Sequence, residues 1–256
     1  MNKQLEVKIE EIVGQIHRVN VLNEQGCTSE VRQIITDNGS YLLKSSFEGK
    51  YREWLKNEAQ VLEKLNNSNQ IPVPIYYGKI EEKDSSHLIM SFENGITLTS
   101  ALKKAKNKTE KKSLIRSFGH LLYCLHETNL IESLNRKNDW LVEQLIKAEN
   151  YVESGQTEGS LELLQQLKLN KPLSLEQTMI HGDCTTDNVL VLDGEVRLFI
   201  DVAGMTVGDP RYDESLAISS FVNNEEYKSA FYEGYKRYKV SNEEFQYFDE
   251  GLYEFF

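Results

Sequence analysis

The chain has 256 residues, 39% of them hydrophobic and 27% charged, with a net charge of −11, enough for one large or two modest domains with real cores. No apolar run approaches the ~18 residues of a membrane span, no basic patch is present to bind nucleic acid, and the five histidines show no metal-ligand spacing with each other or with cysteine. Cys27, Cys124 and Cys184 are scattered and odd in number, which excludes a disulfide framework; with no signal-peptide core at the N-terminus, a reducing cytoplasm is the expected location.

Residues 3–13 read as a short amphipathic helix with Leu5, Ile9 and Ile12 on one side. Three strand-like runs follow, 16–22, 31–36 and 41–44. The loop 23–30 and the turn Asp37-Asn38-Gly39 separate them, which predicts an antiparallel meander. Lys44 ends the third run. Residues 50–66 are helical, with Tyr51, Trp54, Leu55, Val61, Leu62 and Leu65 on one face. Glu58 falls inside that apolar stripe. A carboxylate buried there without a partner would be costly or would protonate, and Lys44 is the nearest candidate cation. Ile71-Pro72-Val73-Pro74 is an extended linker. Strands at 76–81 and 87–92 then complete a five-stranded α+β unit with one long helix.

From Thr97 onward the pattern is helical: 98–106, 110–128, 140–153 and 160–169. His126 reads as a satisfied packing histidine. The stretch from Met179 to Asp201 breaks this pattern. A polar loop carries His181, Asp183 and Asn188. It leads into short apolar runs at 189–192 and 196–200, with Asp193-Gly194 between them as a tight hairpin turn. Asp201 closes the second run. Magnesium takes hard oxygen ligands and needs only one or two from protein when phosphates supply the rest. Asn188 and Asp201 suit that role, which leaves Asp183 for a substrate hydroxyl.

His181-Gly182-Asp183, Asn188, Ile200-Asp201, Gly208-Asp209-Pro210 and Asp213 together resemble the aminoglycoside phosphotransferase and choline kinase-like group of small-molecule kinases. The resemblance implies a bilobal protein-kinase-like fold. Residues 1–93 would form a nucleotide-binding lobe with a five-stranded antiparallel sheet. Residues 94–256 would form a mainly helical lobe with the catalytic loop and acceptor site. It implies Mg2+ on Asn188 and Asp201, and ATP or GTP as co-substrate. Lys44, fixed by Glu58, would neutralise the nucleotide phosphates, and the first loop, with Thr28 and Ser29, would cover them. Ser91, Phe92 and Glu93 would form the hinge that binds the adenine edge through main-chain groups. His181, Gly182 and Asp209 would shape the catalytic loop, although Asp209 before Pro210 also reads as a helix N-cap. Only seven residues separate Asp201 from Asp209, which leaves no room for a long activation loop. A small-molecule acceptor is therefore expected rather than a protein.

The tail is crowded with aromatics: Phe231, Tyr235 and Tyr238 on one helical stripe, then Phe245, Phe248, Tyr253, Phe255 and Phe256. Most read as core. Residues 183–256 hold 6 basic and 16 acidic side chains, net −10. Glu243, Glu244, Asp249 and Glu250 among the aromatics are candidates for binding a cationic acceptor; a solvated acidic surface is the plainer alternative. A metabolic kinase of an amino alcohol or sugar, and a catalytically silent nucleotide-binding module, are the other functions left open. The oligomeric state is not legible.

Overall fold

The computed structural model describes residues 2–22, 24–26, 28–66, 70–134 and 138–256; Asn23 and Cys27 of the first loop lie outside them. The chain divides into two compact units, one of Met1–Asn94 with Ile200–Gly204, the other of Gly95–Phe199 with Met205–Phe256. The segment carrying Asp201 thus belongs with the first unit, not with the hairpin that precedes it.

The first unit holds α1 (Lys3–Val13), β1 (Ile16–Val21), β2 (Glu30–Thr36), β3 (Gly39–Ser46), α2 (Gly49–Leu65), β4 (Tyr76–Glu81) and β5 (Ser86–Ser91). The strands form one antiparallel sheet in the order β1-β2-β3-β5-β4. Alternation along β3 assigns its two faces. Tyr41 and Leu43 join Ile34, Ile80 and Ile89 against Leu5, Ile9 and Val13 of α1. Lys44 points the other way, to Glu58 of α2. The turn Val202–Gly204 also packs on α2. Asn2 caps α1 by accepting from the Leu5 amide at 2.7 Å.

The second unit holds β6 (Ile96–Thr97), α3 (Leu98–Lys104), α4 (Lys108–Glu127), α5 (Trp140–Ser154), α6 (Leu161–Leu169), β7 (Thr178–Ile180), β8 (Val189–Leu192), β9 (Glu195–Phe199), β10 (Thr206–Gly208), α7 (Pro210–Ser219), α8 (Glu225–Gly234) and α9 (Asn242–Phe248). Asn107, Asp139, Ser160, Asn224 and Ser241 each cap the helix that follows. α4 and α8 meet through glycine. A Cβ on Gly119 would come within 2.2 Å of the Phe231 carbonyl oxygen, and one on Gly234 within 2.1 Å of that of Arg116. Only the missing side chains let the two backbones approach so closely.

The β8–β9 hairpin turns at Asp193 (φ 52°) and Gly194 (φ 82°), the two left-handed positions of the tight turn that the dipeptide predicts. β3 runs on to Ser46, so Lys44 does not end it, and β6 precedes α3 where the sequence reading places no strand. Two further features differ from that reading. The segment after Asp201, expected to be loop throughout, contains the Val202–Gly204 turn and β10, which pairs with β7. α8 ends at Gly234, so Tyr235 caps it and Tyr238 lies beyond, 41% exposed, rather than on a helical stripe. Among the described residues no helix is long and apolar enough to cross a membrane.

Candidate active site

In the first unit the structure brings Lys44, Glu58 and Asp201 together. Lys44 is 8% exposed and Glu58 3%. The ammonium donates to Glu58 Oε2 at 2.8 Å and also to Asp201 Oδ1. Burial alone would lower the lysine pKa; the charges of Asp201 and Glu58 outweigh it and raise the pKa above its ordinary value. The lysine therefore stays cationic, and the glutamate holds it on the helix-facing row of β3, two residues before the strand ends at Ser46. Removing Lys44 would take from Glu58 and Asp201 the cation they share, while Glu58→Gln would leave Lys44 its bond to Asp201.

Asp201 takes a left-handed conformation (φ 56°) just after β9. Aspartate tolerates this better than most residues, at a cost of ~1–3 kcal/mol. Its side chain is 45% exposed, so the carboxylate has room for a further ligand. Above β2 and β3, the Gln25 side chain closes the first loop. Its Nε2 donates to the Leu22 and Val31 carbonyls (2.7 and 2.9 Å), and its Oε1 accepts from the Val31 amide (2.8 Å). Gly26, Thr28 and Ser29 of that loop line a cavity with Phe47 and Tyr51. Ser29 Oγ is buried with no hydrogen-bond partner among the described residues. A hydroxyl left so costs ~1–3 kcal/mol, and the deficit suits a residue that meets a phosphate. Ser91 ends β5, and Phe92 and Glu93 follow it. Ser91 Oγ donates to Glu93 Oε1 (2.6 Å) and accepts from the Ile75 amide (3.0 Å), while the Phe92 amide donates to the Ser40 carbonyl (3.4 Å).

In the second unit the loop between β7 and β8 presents Asp183. Gly182, at φ 82°, makes the left-handed bend. The side chain of Asp213, in the first turn of α7 and wholly buried, accepts from the His181 amide (2.5 Å) and the Gly182 amide (2.8 Å). His181 is itself buried against the Phe199 ring, and its Nδ1 accepts from the Asp183 amide at 3.2 Å. The loop is thus fixed through its backbone, while the Asp183 carboxylate accepts from other side chains. The Asn188 Nδ2 donates to the Asp183 carbonyl (2.9 Å) and to its Oδ2 (2.8 Å). Turning the amide nitrogen toward Asp183 turns the amide oxygen away from it, the orientation a hard-oxygen metal ligand needs. The Tyr253 hydroxyl donates to Asp183 Oδ1 at 2.9 Å.

A family model described as a phosphotransferase enzyme family matches residues 21–246. The chain belongs to that family.

An aminoglycoside 3'-phosphotransferase of Enterococcus faecalis is 23% identical over 223 residues, 80% of this chain and 81% of the relative. The fold resembles that of a type VIII aminoglycoside-3'-phosphotransferase (TM-score 0.77, 21% identity, all of both chains covered). It also resembles a spectinomycin phosphotransferase solved with ADP and spectinomycin (TM-score 0.64, 16% identity, 97% of this chain and 83% of that one). The five-stranded antiparallel sheet with its long helix, and the helical second unit, are the kinase-like fold of these phosphotransferases, and the family's chemistry is ATP-dependent phosphoryl transfer.

Within this phosphotransferase, two sequence assignments change. Among the described residues Asp209 bonds within α7 rather than to the catalytic loop. It caps α7 through the Arg211 amide (3.0 Å) and binds the Arg211 guanidinium at Nε (3.0 Å) and Nη2 (2.6 Å). Asp213, four residues on and one helical turn further in, makes the loop bonds instead. Glu244, expected to face an acceptor, is engaged in the fold. It accepts from Arg211 Nη1 (2.9 Å) and Tyr238 and closes the capping box with Ser241. Asp249 accepts from Ser219 Oγ (3.0 Å), while Glu243 and Glu250 are exposed. His126 is buried, with Nδ1 against the Tyr235 hydroxyl (2.9 Å) and Nε2 toward Asp213 (3.4 Å). Sequence reasoning missed Tyr253 as a site residue; it placed Asp213 in the motif and left open whether it faces the catalytic loop or only favours the helix dipole. Its place in the motif, one helical turn after Asp209, was the signal that pointed toward the loop.

Proposed function

We propose that this phosphotransferase moves the γ-phosphate of ATP to a hydroxyl of a small, cationic acceptor of the aminoglycoside kind. The observation that carries the reading is the Asp183 carboxylate, held toward Asn188 on a loop braced by Asp213. Asp183 orients the acceptor hydroxyl and takes its proton. The acceptor oxygen forms the new bond to the γ-phosphorus, the bond to the β–γ bridging oxygen breaks, and ADP leaves. Lys44, kept in place by Glu58, neutralises the nucleotide phosphates, and Thr28 and Ser29 hydrogen-bond them. Ser91, Phe92 and Glu93 receive the adenine through main-chain groups. Asn188 and Asp201 supply the oxygen donors for Mg2+, which when bound offsets the negative charge of the phosphates. His181 and Gly182 set the loop's shape.

The acceptor class rests on charge. Nearly all of the net negative charge falls in residues 183–256, and Glu243 and Glu250 are the exposed carboxylates of the α9 region. At ~0.15 M salt such a field reaches about 8 Å, so the attraction is strongly salt-dependent. The test is ATP turnover over a panel of aminoglycosides, amino alcohols and neutral sugars at several ionic strengths. An aminoglycoside should give the highest kcat/KM, falling steeply with salt. A neutral sugar as best acceptor, with salt-independent kcat/KM, contradicts the acceptor class. No turnover with any hydroxyl contradicts the enzymatic reading.

A further inference from the structure

Each oxygen of the Asp183 carboxylate meets a donor of the protein itself. Oδ2 accepts from Asn188 and Oδ1 from the Tyr253 hydroxyl, 2.9 Å away. A general base must lie about 2.6–3.2 Å from the hydroxyl it serves, so the phenol stands at the distance an acceptor hydroxyl would take.

The surroundings anchor the turn that carries Tyr253 and leave its ring only partly buried. Tyr253 lies on the short turn Leu252–Phe255, whose Leu252 and Phe255 side chains are buried in the core with Leu164, Leu167 and Phe248. Thr157 Oγ1 also donates to the Glu254 carbonyl at 3.1 Å. Tyr253 itself is only partly buried, and its ring meets Tyr212 edge-on at 6.4 Å between centroids. Burial and the neighbouring Asp183 carboxylate raise its pKa above the ordinary tyrosine value, so it remains a neutral donor. Neutral donors can be exchanged. The phenol oxygen lies on the ring axis, so exchange requires the half-buried ring to swing aside, and that movement carries no charge.

We propose that Tyr253 is a specificity-determining residue that occupies the acceptor's place on Asp183 Oδ1, keeping out water and small alcohols until a well-bound acceptor displaces it. The inference rests on Asp183 being the acceptor's base. Water and a small alcohol bring one hydroxyl and little other binding energy, so they compete poorly with a tethered phenol. A larger acceptor uses contacts elsewhere to drive the exchange, binding energy from remote groups being spent at the reacting centre.

The experiment compares the wild type, Tyr253→Phe and Asp183→Asn, with water and ethanolamine as the probe acceptors. Tyr253→Phe keeps the ring and removes only the hydroxyl. Its acceptor-independent ATP hydrolysis should rise on the order of tenfold, the size of one hydrogen bond to a charged group. The KM for ethanolamine should fall by a similar factor with kcat nearly unchanged, and the thermal midpoint should stay close to wild type. A merely structural role would lower the midpoint and leave hydrolysis unchanged or reduced; that result overturns the proposal, as does wild-type behaviour in every readout. The Asp183→Asn arm separates the two layers. If it still transfers phosphate, the base assignment fails. If it is inactive while Tyr253→Phe hydrolyses ATP like wild type, the role of Tyr253 fails alone.

Discussion

Glu58 and Glu214 are both glutamates on helices and both buried, 3% and 0% exposed, yet the two units treat them oppositely. Glu58 in the first unit faces the Lys44 ammonium. Glu214 in the second has neutral donors: its Oε1 accepts from the Tyr232 hydroxyl and the Val240 amide, both at 2.8 Å, and its Oε2 has no partner among the described residues. Burial, only partly offset by those bonds, pushes the Glu214 pKa up to about 8. A charge held by a countercharge is rigid and costly to break. One held by neutral groups can be neutralised or re-partnered. The same contrast separates Lys44, with two carboxylates, from Asp183, with an amide and a phenol. On the proposed function, nucleotide charge calls for the first arrangement and exchange of acceptor hydroxyls for the second.

The largest test of this contrast is on stability. Below the ordinary carboxylate range Glu214 is protonated in both folded and unfolded chains, so burial costs nothing electrostatic. As pH rises toward about 8 the unfolded chain ionises and the folded one resists, so stability is lost across that window. Glu214→Gln keeps an oxygen for Tyr232 and Val240 and cannot ionise. Relative to it, the wild type should lose up to about 5 kcal/mol between pH 4 and pH 9. Denaturant unfolding across that range measures the gap, and parallel curves for the two proteins would show that Glu214 ionises freely.

How far the sequence discloses this contrast depends on the residue. Glu58 is legible because a charge in an apolar stripe demands a cation, and Lys44 closes the strand-like run read at 41–44 just before that helix. The Asp193-Gly194 turn and the Asp183–Asn188 spacing are legible because both are local. Asp213 is not, since an acid in a first helical turn is equally well explained by the helix dipole; its real partners are amides 31 and 32 residues away. Tyr253 is hidden for a related reason. An aromatic in an aromatic tail reads as core, and only the folded chain shows where its polar tip goes. β6 and β10, two and three residues long, are too short to carry a period.

A smaller effect sharpens the charged side of the comparison. With Lys44→Met and Glu58→Gln, the double-mutant cycle on nucleotide affinity should show coupling on the order of 1–3 kcal/mol. Strictly additive losses would mean that the pair does not act as a unit in binding.

The central claim is that Asp183 serves the acceptor while separate residues hold the nucleotide. The most direct measurement is Asp183→Asn, assayed for ATP affinity by titration calorimetry and for transfer to the best acceptor. The substitution spares Lys44, Glu58, Asn188 and Asp201. Nucleotide affinity should stay near wild type and transfer should fall ~10²–10⁴-fold. Near-wild-type transfer, or affinity lost in step with it, would contradict that division of labour.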